Sequence, residues 1–495
     1  MIQRCIRLVL LCAALSVTSN LSATSGATAA YSPPTPIDDP IPAKITKGDI
    51  VVAAVEFVRA PRTYDTKQGP TTLQGIDEPL GTSAAYARLQ YMQPLGDGSE
   101  RLVVSDLRGV LYLTNAAGDP LQQYLDLREA TPDFGDEVFP NEAGLLGFAF
   151  HPDFRNAGRP GFGKFYTGYS ATADSGVADY LSDAASSHHS VIREWTTTDP
   201  SAQVFKGSSR EVLRIGQFAP NHNIGTMAFN PASSRDSADF GMLYVCMGDG
   251  GSGYDPMSYG QGLTDPLGSI LRIDPLNAEG KKGYAIPADN PFVGRADVAR
   301  EVWAYGLRHP QHFSFDVDGR MFINDIGQLH IEEVNIGVAG ANYGWRVREG
   351  TFATGFGVAG GYAGYLFPRP AADGRFVYPV AQYDHDEGNA IGSGFVYRGP
   401  GIEALRGKYV LADIVRGRIF YFDIADLVPG EPAHLQELRV SIDGEERDLI
   451  DVIGYENSYA PGTQRADLRL GIDAQGELYL LTKGDGWIRK LIAKE

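Results

Sequence analysis

Residues 468–492 read LRLGIDAQGELYLLTKGDGWIRKLI. Three short apolar runs, rich in Leu, Ile and Tyr, are parted by DAQG and KGDG. Runs of this length suit strands better than helices, and Asp and Gly at the junctions supply tight turns. The stretch therefore predicts three closely spaced strands. The same signature, a Gly- or Asp-containing turn followed by a strand of the LYL or KYV type, recurs upstream. It reads RGVLYLTN (108–115), GKFYTGYS (163–170), GMLYVCMGD (241–249), GRMFINDIG (319–327) and GKYVLADIV (407–415), and within the opening stretch GELYLLTKG (476–484). Recurrence at this period predicts an all-β fold, a six-bladed β-propeller of four-stranded antiparallel blades around a central channel. Pairing of the two chain ends is expected to close the ring. The segments 176–216 and 350–379 read as long surface insertions.

Composition narrows the function classes. Residues 1–30 carry Arg4 and Arg7, an apolar run from Leu8 to Val17 and a small-residue end at Ala27 to Ala30, the pattern of a secretory signal. No later run reaches the ~20 apolar residues of a membrane span. Residues 31–45 are proline-rich and read as a tether, and 46–495 as the propeller domain. Of the 3 cysteines, Cys5 and Cys12 lie in the signal, so Cys246 is left without a partner. An exported chain that needs no disulfide suits a secreted or periplasmic setting. A net charge of −18 disfavours nucleic acid and anionic membranes as partners.

Chemistry-bearing residues cluster at several points. NEAGLLGFAFHPDF (141–154) sets His151 at a strand end, where Pro152 fixes the bend, and imidazole is the natural base near neutral pH. The GDGG turn, with Asp249, Gly250 and Gly251, and the following Asp255, suits a hard cation such as Ca²⁺. Arg308-His309-Pro310 places polar groups at another proline bend. Tyr343 and Trp345, beside Gly344, offer a stacking wall for a flat ligand or sugar. Arg398, Arg416 and Arg418 suit a carboxylate-bearing ligand, and the last two, on a continuous strand, would face one side.

GLLGFAFHPDF, GSILRIDP, EVWAYGLRHP, EEVN followed by GANYGW, and LRGKYVLADIVRGRIF, in this order, resemble the soluble glucose/sorbosone dehydrogenase family. That family contains six-bladed propellers dependent on pyrroloquinoline quinone (PQQ), together with members similar to hedgehog-interacting protein. The resemblance implies PQQ- and Ca²⁺-dependent oxidation of an aldose or a related alcohol or aldehyde. His151 would be the general base, and Ca²⁺ would be held partly by carbonyls of the GDGG turn. Tyr343, Arg308, Arg398, Arg416 and Arg418 would line the cofactor. With no haem-attachment motif in the chain, electrons would leave to a separate acceptor. Thr226 departs from the pattern, standing where family enzymes usually carry a cofactor-contacting arginine; one charge-assisted hydrogen bond is worth about 1.5–3 kcal/mol. The alternative reading is a non-catalytic, calcium-stabilised propeller that binds a carbohydrate or a protein partner.

Overall fold

The strand Leu243–Met247 (LYVCM) is buried along its whole length. It pairs antiparallel with Ile224–Phe229 on one side and with Ser269–Ile273 on the other. A run apolar on both faces needs cover on both, and here sheets pack against each face. The computed structural model describes residues 34–63, 85–135, 142–181, 186–280, 282–369, 373–428, 430–453 and 465–494. All of these lie in one unit, Pro34–Glu495. The proposed signal, 1–30, lies outside the described residues.

The fold is all-β, built mainly from four-stranded antiparallel sheets, as in a propeller. Strands 89–94, 101–106, 110–115 and 122–126 form one sheet in chain order. The sheets within 145–217, 224–305 and 312–384 repeat the arrangement. A nine-stranded sheet joins strands 391–396, 408–413, 419–423 and 436–442 to strands 468–472, 478–482 and 487–493. The join is Lys47–Arg59, which runs parallel to Gln436–Ile442 and antiparallel to Trp487–Ala493.

The apolar cores lie between successive sheets. Val103 and Leu111 meet Leu145 and Phe148. Ile192 and Leu213 share a core with Met227, Val245 and Leu271, and Ile270 shares one with Phe313 and Ile323. Phe322 and Val334 pack with Tyr409 and Leu411, and Met92 and Val104 with Tyr479 and Leu481. Each fully buried aliphatic side chain contributes about 1.5–3 kcal/mol. The last pairing brings the end of the chain back to its first complete sheet.

Two sequence expectations change. The segment 176–216 is not a surface loop, because His188–Thr197 and Gly207–Gln217 are paired strands. Its polar residues masked it: buried Glu194 accepts hydrogen bonds from Lys164, Tyr166 and Arg210. Arg416 and Arg418 do not share a strand face, since Lys408–Asp413 ends before them and Ile419–Asp423 begins after. Asp413 Oδ1 accepts the Val415 and Arg416 N–H groups and so folds the segment into a turn. Residues 348–367 do form a surface element, a small three-stranded sheet. In the proline-rich stretch, Ile37 donates to Leu366 and Ile41 to Asp384.

Candidate functional site

The strands beginning at residues 89, 145, 224, 312, 391 and 468 enter from one end, and the residues just ahead of them converge there. Arg88, Glu142, His222, His309, Asn389 and Asp467 each precede an innermost strand by a few residues, and all line one cavity of about 560 Å³. Loops that follow second strands complete the wall with Gln328, Val415 and Lys483.

His222 is the most constrained of these residues. Its Nδ1 lies 2.6 Å from Asp249 Oδ1. Asp249 is itself fixed, accepting from Gly251 N at 3.0 Å and from Trp345 Nε1 at 2.8 Å. Burial pushes Asp249 up to about 6. Burial, then the Arg308 charge, pushes His222 down to about 3. At neutral pH the carboxylate accepts the Nδ1 proton, and Nε2 keeps its lone pair. The His222 backbone is left-handed, with φ 54°, and its N–H donates to Glu142 Oε2 at 3.1 Å. The turn beneath needs glycine at 251, where φ is 90° and a Cβ would meet Asn221 Oδ1 at 2.2 Å.

His309 packs its ring against that of His222, with centroids 4.8 Å apart and planes at 27°. The turn carrying it is held by Asp325, whose two oxygens accept the Arg308 and His309 N–H groups at 2.9 and 2.7 Å. Burial, then His222 and Arg308, holds His309 well below the ordinary imidazole value.

The wall is rich in basic groups, although burial, then the Arg469 charge, holds Lys483 well below the ordinary lysine value. Arg88, Arg308, Arg465, Arg469 and Lys483 line the cavity against two carboxylates, Glu142 and Asp467. Arg308 is steadied by Gln328 Oε1 at 3.2 Å and by the carbonyl of Ile326 at 3.0 Å. Arg469 donates to Gln311 Oε1 at 3.0 Å, and Lys483 to Gln90 Oε1 at 3.0 Å. In a protein of net charge −18, five basic side chains around one cavity fit a ligand bearing several carboxylates. By that test the residues present fit PQQ.

Other residues singled out in the sequence stand elsewhere. His151 follows its strand, Leu145–Phe150, whereas Glu142 precedes it. The two are thus at opposite ends of roughly 20 Å of strand. The His151 ring packs on Phe229 and Phe240, its Nδ1 accepts from Asp153 N at 3.0 Å, and Nε2 has no partner. Arg398 pairs with Asp316, and Arg418 with Glu387 and Glu437. Arg416 donates to the carbonyls of His385 and Asp386. Tyr343 is buried, with its hydroxyl on the Ile336 carbonyl, and Thr226 bonds to the Gln311 carbonyl. Of the residues singled out in the sequence, Arg308 and its neighbour His309 line the cavity.

The GDGG turn is poorly suited to Ca²⁺ through its side chains. Both Asp249 oxygens face the N–H donors just described, and both Asp255 oxygens accept backbone N–H groups, from Tyr259 and Gly260. Among the residues absent from the predicted site, Arg88 and His222 share one signal, a basic or imidazole side chain just before a strand, whereas Arg469 lies within a strand and Lys483 follows one.

Comparison with known proteins gives a consistent family picture. The Glucose / Sorbosone dehydrogenase profile matches residues 89–445. HIPL1 protein of Arabidopsis thaliana is 31% identical over 370 residues, 65% of this chain and 50% of the plant protein, so the chain spans about half that relative. Quinoprotein glucose dehydrogenase B of Acinetobacter calcoaceticus is 27% identical over 220 residues, 41% of this chain and 39% of that one. The PQQ-bound aldose sugar dehydrogenase of Streptomyces coelicolor shares the fold, with TM-score 0.51 and 22% identity, covering 82% of this chain and 95% of its own.

Proposed function

Because the chain belongs to the Glucose / Sorbosone dehydrogenase family, we propose that it is a PQQ-dependent dehydrogenase of an aldose or a related alcohol or aldehyde. Its sheets are counted as six blades, the nine-stranded sheet being two blades joined through Lys47–Arg59. The observation that carries the reading is the Asp249–His222 pair beside a cavity walled by five basic side chains.

When bound, the quinone supplies an acceptor for the hydride that leaves the substrate carbon. Arg88, Arg308, Arg465, Arg469 and Lys483 would hold its carboxylates. His222 Nε2, rather than His151, takes the proton from the substrate hydroxyl, and Asp249 offsets the positive charge that develops on the ring. A separate acceptor protein or small molecule would be needed to take the electrons onward. Asp249 of the GDGG turn and the following Asp255 are turned to N–H donors, so Ca²⁺ there would rest on the backbone carbonyls around Gly250 and Gly251.

The test is an absorption titration of the protein with PQQ, followed by aldoses and an artificial electron acceptor. A saturable spectral change and sugar-dependent reduction are expected; no binding at micromolar PQQ would refute the reading.

A second reading is a propeller that binds a carbohydrate or protein partner without turnover. Its support is the exposed aromatic group Phe356, Tyr362 and Tyr365 on the 348–367 element. Glycan or protein binding in the absence of any PQQ effect would select it.

A further inference from the structure

We infer that Glu142, His222 and His309 form a site for a borderline-soft divalent metal ion of the zinc and cobalt class. One ligand atom from each side chain lies within 4.8 Å of the others. His222 is already oriented as a ligand. Asp249 holds its Nδ1 at 2.6 Å, which leaves Nε2 as the free donor. A carboxylate behind a metal-binding imidazole is the usual device for fixing its tautomer and ring plane.

His309 is the second observation. It is 4% exposed, and its ring makes no hydrogen bond among the described residues. Its Nδ1 lies 3.9 Å from Glu142 Oε2. Its ring nitrogens are not enclosed; they open to the cavity, where a cation can reach them.

Two imidazole nitrogens and one carboxylate oxygen favour zinc-class ions over Ca²⁺, which takes oxygen ligands only. Bonds of about 2.1 Å draw tetrahedral ligands to roughly 3.4 Å apart. Glu142, the least buried of the three, closes that gap by rotating its side chain. Three protein ligands leave at least one position open toward the 560 Å³ cavity, the pattern of a reactive rather than a purely structural site. Arg308 in the same cavity opposes a bare dication, so an anionic ligand, hydroxide or carboxylate, belongs in the open position.

The site does not depend on the quinone reading, but it bears on it. A metal on His222 Nε2 removes the lone pair that would accept the substrate proton, so zinc is expected to silence turnover.

The experiment titrates chelator-treated protein with Co²⁺, following its visible bands, and with Zn²⁺ by calorimetry. One ion per chain is expected, with no competition from Ca²⁺. His309→Ala and Glu142→Gln should each weaken binding at least tenfold, and Asp249→Asn by about 10–100-fold, all with native circular dichroism. Absence of a Co²⁺ band in the unmodified protein, or unchanged affinity in both ligand variants, overturns the proposal. PQQ binding is measured separately by its own absorption. A Co²⁺ band without PQQ binding overturns the quinone reading alone; PQQ binding without a Co²⁺ band overturns the metal site alone.

Discussion

Asp249 Oδ1 sits 2.6 Å from His222 Nδ1, and its other oxygen is taken by Trp345 Nε1. The carboxylate can therefore turn only one oxygen to the imidazole. That geometry decides which ring nitrogen carries the proton and leaves Nε2 as the reactive atom.

Asp249→Asn tests this directly. An asparagine can present its amide N–H to Nδ1, which moves the ring proton to Nε2. Turnover of the PQQ-loaded protein should fall by about a hundredfold or more, with PQQ affinity changed less than about threefold. A smaller loss in steady-state kcat would deny Asp249 a tautomer role.

The pH profile should show an acid limb. Burial pushes Asp249 up to about 6, so above that pH it is ionised and accepts the Nδ1 proton. As pH falls through about 6, the carboxyl gains a proton. With Oδ2 held by Trp345, that proton falls between Oδ1 and Nδ1 and disfavours the reactive tautomer. Activity should decline below pH 6, and a flat profile from pH 7 to 4.5 would contradict this.

His151 and His222 should separate cleanly. His222→Ala is expected to abolish turnover and leave the melting temperature little changed. His151→Ala should retain turnover but lose about 2 kcal/mol of stability, because a void opens beside Phe229 and Phe240. Denaturant unfolding and turnover together distinguish the two.

Arg469→Gln should weaken PQQ about 10–100-fold, the worth of one charge-assisted contact. Arg398→Gln should not, since Arg398 is engaged by Asp316. Equal losses in fluorescence titrations would show that the basic wall is not the binding element.

Glu349 offers a stability test. Burial alone would raise its pKa, but hydrogen bonds from His330 and backbone N–H groups hold it at about 2. Its Oε1 accepts from the N–H groups of Gln328, Leu329, His330 and Ile331. With the folded pKa below the ordinary value, this stability is present above pH 4.5 and is lost as pH falls through about 2. Glu349→Ala should cost about 3 kcal/mol at neutral pH, read as a shift in the denaturation midpoint.

Much of the architecture was readable because the repeat lies in local chemistry. LYVCM and LYLLT are strands, and the turns before them carry Gly or Asp, with no long-range information needed. The site was less readable because it is assembled from residues far apart in the chain, such as Arg88, His222 and Lys483. His151 looked right, an imidazole at a proline bend, but no local pattern says which end of the ring a strand terminus reaches. Arg416 and Arg418 failed for a related reason. Their spacing implies a shared face only if the strand continues, and Asp413 ends it.

The strand Lys47–Arg59 lies between Gln436–Ile442 and Trp487–Ala493, so it waits for partners made much later in synthesis. Until both are available, Trp487–Ala493 exposes a strand edge open to pairing with other chains. Contacts between segments so far apart in sequence make closure slow. The latch thus sets an order of events, with the inner sheets able to form first and the seam sealing afterwards. Loss of the first strand should accordingly appear as aggregation during refolding before it appears as a change in the cavity.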